Sequence, residues 1–238
     1  MTDNDAMLIE PDRRAEVVLL RHSRHATWLY AIAAAMLVAL ALLSPFLIPV
    51  SWNVAITRAV QSIRLPGLQA FMVAVSGFGN VPKFAFVAAV ALLACGRRGE
   101  AVWLTWSGVG GWFLSLQLKG LIAYPRPTAD VVAVFHEWDN ASFPSGHVVF
   151  YVCFFGFLFF IARERLARGS HLRRLVLAVT VLLVALVGLA RVYLGEHWPS
   201  DMPGSYVLGG LWLALSLKLY RRFNFAREAA PPRTTPAA

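Results

Sequence analysis

Residues 141–165 read ASFPSGHVVFYVCFFGFLFFIARER. A polar knot, Pro144-Ser145-Gly146-His147, stands at the lip of an apolar run that continues to Ile161 and closes on Arg163 and Arg165. The purpose of such an edge depends on the kind of chain that carries it. The chain has 238 residues, 58% of them hydrophobic, with a mean hydropathy of +0.60. No soluble domain of this length needs so much apolar surface, so the composition predicts an all-α, polytopic membrane protein. The formal net charge of +9 does not indicate nucleic acid, because the basic residues form short clusters between apolar runs rather than one stripe.

A helix needs about 20 apolar residues to cross about 30 Å of hydrocarbon. On that rule six spans are expected, at residues 27–50, 81–95, 101–118, 144–161, 175–194 and 201–220. The second is short unless residues 68–78 lead into it, so SGFGNVPK at 76–83 reads as a break preceded by an interfacial helix. The expected organisation is a cytoplasmic leader at 1–26, which can lie on the membrane as an amphipathic helix, one six-span domain at 27–222, and a disordered cytoplasmic tail at 223–238. The first apolar run is too long for a signal core, so no signal peptide is expected. Cys95 and Cys153 both fall inside apolar runs and read as small buried hydrophobes.

Charge orients the bundle. Arg13, Arg14, Arg21 and Arg24 precede the first span, and Arg97 and Arg98 lie between the second and third. Arg163, Arg165, Arg168, Arg173 and Arg174 lie between the fourth and fifth, and Lys218, Arg221, Arg222, Arg227 and Arg233 close the chain. The other face holds only Arg58, Arg64, Lys83, Lys119, Arg126 and Arg191. Positive loops stay inside, so both termini are expected in the cytoplasm. The expected location is a bacterial inner membrane, with the sparse outer cations facing the periplasm or exterior.

Three segments gather polar groups at that outer face: Lys119 to Arg126-Pro127, Pro144-Ser145-Gly146-His147, and Arg191 to His197 to Asp201. Their chemistry is that of an anion site. Pro144 suits a first helical turn, and the N–H groups of Ser145, Gly146 and His147 then point outward at the positive end of the helix dipole. Gly146 lets an anion approach the backbone, while Lys119, Arg126 and Arg191 add three positive charges. Asp201, four residues after His197, can accept from one ring nitrogen and leave the other as a lone pair facing the anion. His147 has no carboxylate nearby in sequence and could donate a proton to a leaving oxygen. Protein cations neutralise the charge, so no metal and no other cofactor is expected.

This pattern resembles the type 2 phosphatidic acid phosphatase superfamily, integral membrane lipid phosphatases related to vanadium haloperoxidases. The resemblance covers residues 119–201 directly and, through the six-span architecture, most of the chain. It implies a phosphohistidine intermediate at His197, oriented by Asp201, and general acid catalysis by His147. It also implies phosphate binding by Lys119, Arg126, Ser145, Gly146 and Arg191. The substrate implied is a lipid phosphate or lipid diphosphate held in the bilayer. One position departs from the pattern: the third signature usually opens with serine before its arginine, and this chain has Ala190. That change removes a hydroxyl near the phosphate but no charge and no proton carrier.

Other residues receive plainer readings. His22, His25 and His171 are read as solvated, as are His136 and Glu137 in the outer loop, and Glu196 is left out of the catalytic set. Trp28, Trp52 and Trp138 fit interfacial belts better than ligand stacking. Gly108, Gly110, Gly111, Gly204, Gly209 and Gly210 are read as permitting close helix approach. Three other functions compete. An intramembrane serine protease lacks its Gly-x-Ser-x-Gly elbow and leaves three cations unexplained. A transporter would place ionisable groups near the midplane rather than at one face. A lipid-phosphate phosphotransferase would use the same site and differ only in the acceptor.

Overall fold

The structure, a computed structural model, describes residues 28–39, 43, 50–77, 90, 92–93 and 96–228, with side chains up to residue 223. Its described helices are α1 (Trp28–Ala39), α2 (Val50–Gln61), α3 (Leu68–Gly77), α4 (Arg98–Ile122), α5 (Gly146–Arg165), α6 (His171–Tyr193) and α7 (Asp201–Glu228). No strand occurs among the described residues. The expected spans at 101–118, 144–161, 175–194 and 201–220 all fall on helices, and α7 runs on to Glu228, into the segment read as a disordered tail. Among the described residues, α5 and α6 are long and apolar enough to cross a membrane. The expected span at 27–50 is described mainly through α1. The leader at 1–26, most of the span at 81–95 with Cys95, and residues 229–238 lie outside the described residues.

Helix α5 is the centre. It packs against α4, α6 and α7, while α3 packs on α6. Val148, Val149, Phe150, Tyr151, Cys153 and Phe157 are all fully buried, which explains an apolar run with no polar face. Close helix contact depends on two small residues in particular. A Cβ at Gly111 would lie 2.6 Å from Cys153 Sγ, and one at Gly209 would lie 2.8 Å from Val152 Cβ. Gly210, read from sequence the same way, has no atom within 4 Å of such a Cβ and does not serve that purpose.

The outer surfaces of the bundle helices are apolar. Val102, Trp106 and Phe113 of α4, and Leu172, Leu175, Val179 and Leu182 of α6, are all exposed. The polar groups instead sort to the two ends. At one end Glu100 pairs with Arg165 at 3.2 Å and with Arg97 at 3.7 Å. At the other, α2 and the loop at 123–145 meet.

Helix α2, to which sequence reading assigned no element, is inverted in polarity. Asn53 and Thr57 are buried, whereas Val50, Trp52 and Ile56 are exposed. Arg58 donates through Nε (3.0 Å) and Nη2 (2.7 Å) to the Val131 carbonyl. Gln61 donates to Ala133 O at 2.7 Å and accepts from Ala133 N–H at 3.2 Å. Phe135 N–H donates to Leu194 O at 2.9 Å. These bonds fasten the 128–138 loop across the end of the bundle that carries the site.

Candidate active site

The three sequence segments converge at that end. Serine 145 is the N-cap of α5, and its Oγ accepts from Val148 N–H at 3.5 Å. Gly146 and His147 then open the helix, where backbone N–H groups have no acceptor within the helix itself. Ser145 differs from the sequence reading. Its own N–H donates to Ser205 Oγ at 2.8 Å, and it does not line the cavity. Its hydroxyl is used in capping, so it orients the helix start. Pro144 lies just outside the helix.

The third segment forms the turn between α6 and α7. Gly195 takes φ +66°, and a Cβ there would lie 2.0 Å from Ala133 O, so only glycine fits beneath the strapped loop. Asp201 is the first residue of α7 and faces back toward the turn. Its Oδ2 accepts from His197 Nδ1 at 3.0 Å, from Trp198 N–H at 3.0 Å and from Ser142 Oγ at 2.5 Å. The proton therefore sits on Nδ1, and Nε2 carries the lone pair. Ser205 Oγ donates to Asp201 O at 2.6 Å, which joins this turn to the Ser145 cap. Trp198 Nε1 donates to Pro125 O at 2.9 Å and ties the turn to the Arg126 loop.

A cavity of about 110 Å³ lies in front of Nε2. It is lined by Lys119, Arg126, Gly146, His147, Arg191 and His197 among the expected residues, and by Trp112, Trp138 and Asn140 beside them. Asp201 stands behind His197. Lys119 Nζ donates to the carbonyls of Ala141 and, at 3.0 Å, Ser142. Arg126 donates through Nε and Nη2 to Asn140 O (2.8 Å) and Oδ1 (2.6 Å), and its Nη1 lies 3.3 Å from His197 Nε2. Burial, then the neighbouring Arg191 charge, lowers Arg126 to about 10, so it remains a cation at neutral pH. Burial, then the charges of Arg126, Arg191 and Lys119, hold the His197 imidazole well below its usual range. His197 is therefore neutral and unprotonated at Nε2, as a nucleophile must be.

A family model, the PAP2 superfamily, matches residues 100–225. The chain belongs to the PAP2 superfamily. Among curated PAP2 relatives it is similar to YbjG of Escherichia coli (strain K12), whose name provisionally calls it an undecaprenyl-diphosphatase. The two are 35% identical over 122 residues, 47% of this chain and 57% of that protein. The match thus spans little more than half of that relative. It is also similar to phosphatidylglycerophosphatase B of Bacillus subtilis (strain 168), 28% identical over 162 residues, 65% of this chain and 76% of that one. In fold it resembles the crystal structure of a transmembrane PAP2 type phosphatidylglycerolphosphate phosphatase from Bacillus subtilis. The TM-score is 0.69 at 22% identity, over 86% of this chain and 98% of that chain.

Several residues of this PAP2 site escaped the sequence reading. Glu196, left out of the catalytic set, is buried and paired with Arg191. Trp138, read as an interfacial residue, donates Nε1–H to Glu196 Oε2 at 2.7 Å and lines the cavity. His136 is exposed, in keeping with its reading as solvated, with its ring centroid 4.6 Å from that of Trp138. Ser142 and Asn140 hold Asp201 and Arg126. At Ala190, the position where the family pattern has serine, the methyl packs with Met72, Val75 and Leu194 against α3. The hydroxyl that reaches Arg191 comes from α3 instead: Arg191 Nη1 donates to Ser76 Oγ at 2.8 Å. Proximity of Glu196 to His197 in sequence was the available signal for Glu196; the α3 contribution left none.

Proposed function

We propose that the chain is an integral membrane lipid phosphatase, hydrolysing a phosphomonoester or diphosphate on a membrane lipid through a phosphohistidine at His197. The observation that carries this reading is the arrangement at one cavity. His197 has Nδ1 anchored to Asp201 and Nε2 turned toward three cations, with His147 on the same wall. Phosphate oxygens are bound by Lys119, Arg126 and Arg191 and by the N–H groups of Gly146 and His147, with Ser145 fixing that helix start. The Nε2 lone pair attacks phosphorus, the bond from phosphorus to the lipid oxygen breaks, and His147 gives that oxygen a proton. Water then attacks phosphorus and passes a proton to His147, the phosphorus–nitrogen bond breaks, and phosphate and free His197 are released. The protein's own cations supply the charge neutralisation, so the reaction is metal-independent.

The same reading places residues 27–222 in the bilayer as one six-span unit. The exposed apolar faces of α4 and α6 support it, because a belt of that kind in water is an aggregation site. Glu100, Arg97 and Arg165 mark the cytoplasmic end and the cavity marks the periplasmic or exterior end, with both termini cytoplasmic. The names of the relatives, an undecaprenyl-diphosphatase and phosphatidylglycerophosphatases, support a substrate class of lipid phosphates and diphosphates. The test is phosphate release by the purified protein from phosphatidic acid, phosphatidylglycerol phosphate, undecaprenyl diphosphate and phosphorylated lipid A, with and without excess EDTA. Turnover of at least one lipid, unaffected by EDTA, is expected. Activity lost on chelation and restored by magnesium contradicts the mechanism.

A further inference from the structure

We propose that Glu196 is a positioning residue that holds both phosphate-binding arginines at once, its carboxylate fixing Arg191 and its main-chain carbonyl fixing Arg126. The inference rests on the phosphatase reading above and assigns a task to a residue that reading does not use. Glu196 Oε2 forms an ion pair with Arg191 Nη2, and both side chains are almost wholly buried, at 3% and 4% exposure for Arg191 and Glu196. Arg126 Nη1 donates to the Glu196 carbonyl. The carbonyl cannot drift, because Gly195 before it is wedged under Ala133.

The donors of Arg191 show what this hold achieves. Nη1 is taken by Ser76 and Nη2 by Glu196, but Nε, equally buried, has no partner. A buried charged donor without an acceptor is costly, and native structures fill such positions. Arg191 lines the 110 Å³ cavity together with both histidines. The Nε–H is the guanidinium donor left without a protein acceptor. Glu196 and Ser76 hold two corners of the guanidinium and so fix how Arg191 presents its charge to the cavity.

Trp138 locks the carboxylate in turn. Its indole N–H donates to the same Oε2, and its ring lies 5.9 Å from the Arg126 guanidinium carbon and 5.8 Å from that of Arg191. One aromatic ring thus sets the spacing of two like charges, which it attracts through its face. The device joins two separate parts of the chain: the 123–145 loop, through Arg126 and Trp138, and the end of α6 with its turn into α7, through Arg191 and Glu196.

The test compares wild type, Glu196→Ala, Glu196→Gln and Trp138→Phe, purified in detergent. The readings are the inhibition constant for orthovanadate, KM and kcat on a lipid phosphate, and the thermal midpoint. Glu196→Ala is expected to weaken vanadate and raise KM by roughly 10- to 100-fold, the loss of one buried charge-assisted contact. Glu196→Gln keeps an acceptor for Nη2 and the indole, and should recover most of that loss. Trp138→Phe, which removes only the tether, should weaken vanadate by about 3- to 10-fold, and it carries the test if Glu196→Ala does not fold. Unchanged or tighter vanadate binding in the folded alanine variant overturns the proposal, as does a glutamine variant no better than alanine. If Glu196→Ala does not fold, unchanged vanadate binding in Trp138→Phe overturns it. A wild type that neither releases phosphate nor binds vanadate overturns the phosphatase reading and this inference with it.

Discussion

Replacing Asp201 with asparagine should separate nucleophile orientation from fold. Phosphorylation of His197 at Nε2 puts close to a full positive charge on an imidazole whose Nδ1 lies 3.0 Å from Asp201 Oδ2. At an effective dielectric of about 20, a unit charge pair at that distance is worth about 5 kcal/mol. Ser142 and Trp198 N–H share the same oxygen, which reduces its pull on the histidine. About 3–5 kcal/mol of transition-state stabilisation is then at stake, or ~10²–10⁴-fold in rate. Asparagine can also turn its amide N–H toward Nδ1, which moves the proton to Nε2 and removes the nucleophilic lone pair. It keeps the volume of aspartate and one acceptor oxygen, so the variant should fold. The assay is initial phosphate release from a lipid phosphate, with the thermal midpoint and vanadate binding recorded alongside. A folded Asp201→Asn enzyme with kcat/KM within about tenfold of wild type refutes an oriented His197 nucleophile.

Three further outcomes follow from the same geometry. His147→Ala should lose roughly 10²–10⁴-fold on a lipid phosphate and much less on p-nitrophenyl phosphate, whose leaving group needs no proton. Rates on phenyl phosphates of graded acidity should depend more steeply on leaving-group pKa than in wild type, and parallel slopes would leave His147 only a binding role. His197, held below the ordinary pKa of about 6.5, should remain neutral in the resting protein at pH 6 in a nitrogen-15 histidine NMR titration. The unfolded chain takes up a proton there that the folded one does not, so stability should fall as pH drops below about 6.5, by up to ~1.4 kcal/mol per unit. Arg126→Gln should raise the His197 pKa and blunt that loss, whereas an unchanged titration would remove Arg126 from the electrostatics of the site. In a variant lacking Cys95 and Cys153, cysteines at Val131 and at the exposed Glu137 should react with an impermeant reagent in intact cells and one at Gly169 only after lysis. The reverse pattern overturns the orientation.

The sequence made the helical class and the main cavity residues legible because both rest on strong local signals. The apolar run after His147 and its basic end predict a buried helix, and α5 is the core of the bundle. The four-residue step from His197 to Asp201 predicts their contact, which a tight turn opening α7 provides. What remained hidden depends on tertiary placement. Helix α2 was missed because its buried stripe is polar, Asn53 and Thr57, while its apolar residues face outward. Trp138 carries no local mark that distinguishes a belt tryptophan from a member of a buried cluster, and the only mark on Glu196 is its place beside His197. Ser145 was assigned to phosphate by its motif, and only the packing of Ser205 shows that its backbone N–H is engaged within the protein.

The central claim is a phosphoryl group carried covalently by His197. The direct measurement is to mix the enzyme with a phosphorus-32 lipid phosphate, quench within milliseconds in alkaline denaturant, and map the label by mass spectrometry. An acid-labile, alkali-stable phosphoryl group on His197 is predicted, formed in excess EDTA, stronger in a variant slowed in hydrolysis and absent from His197→Ala. A fully active enzyme whose quenched chain carries no label, or carries it on another residue, contradicts the account.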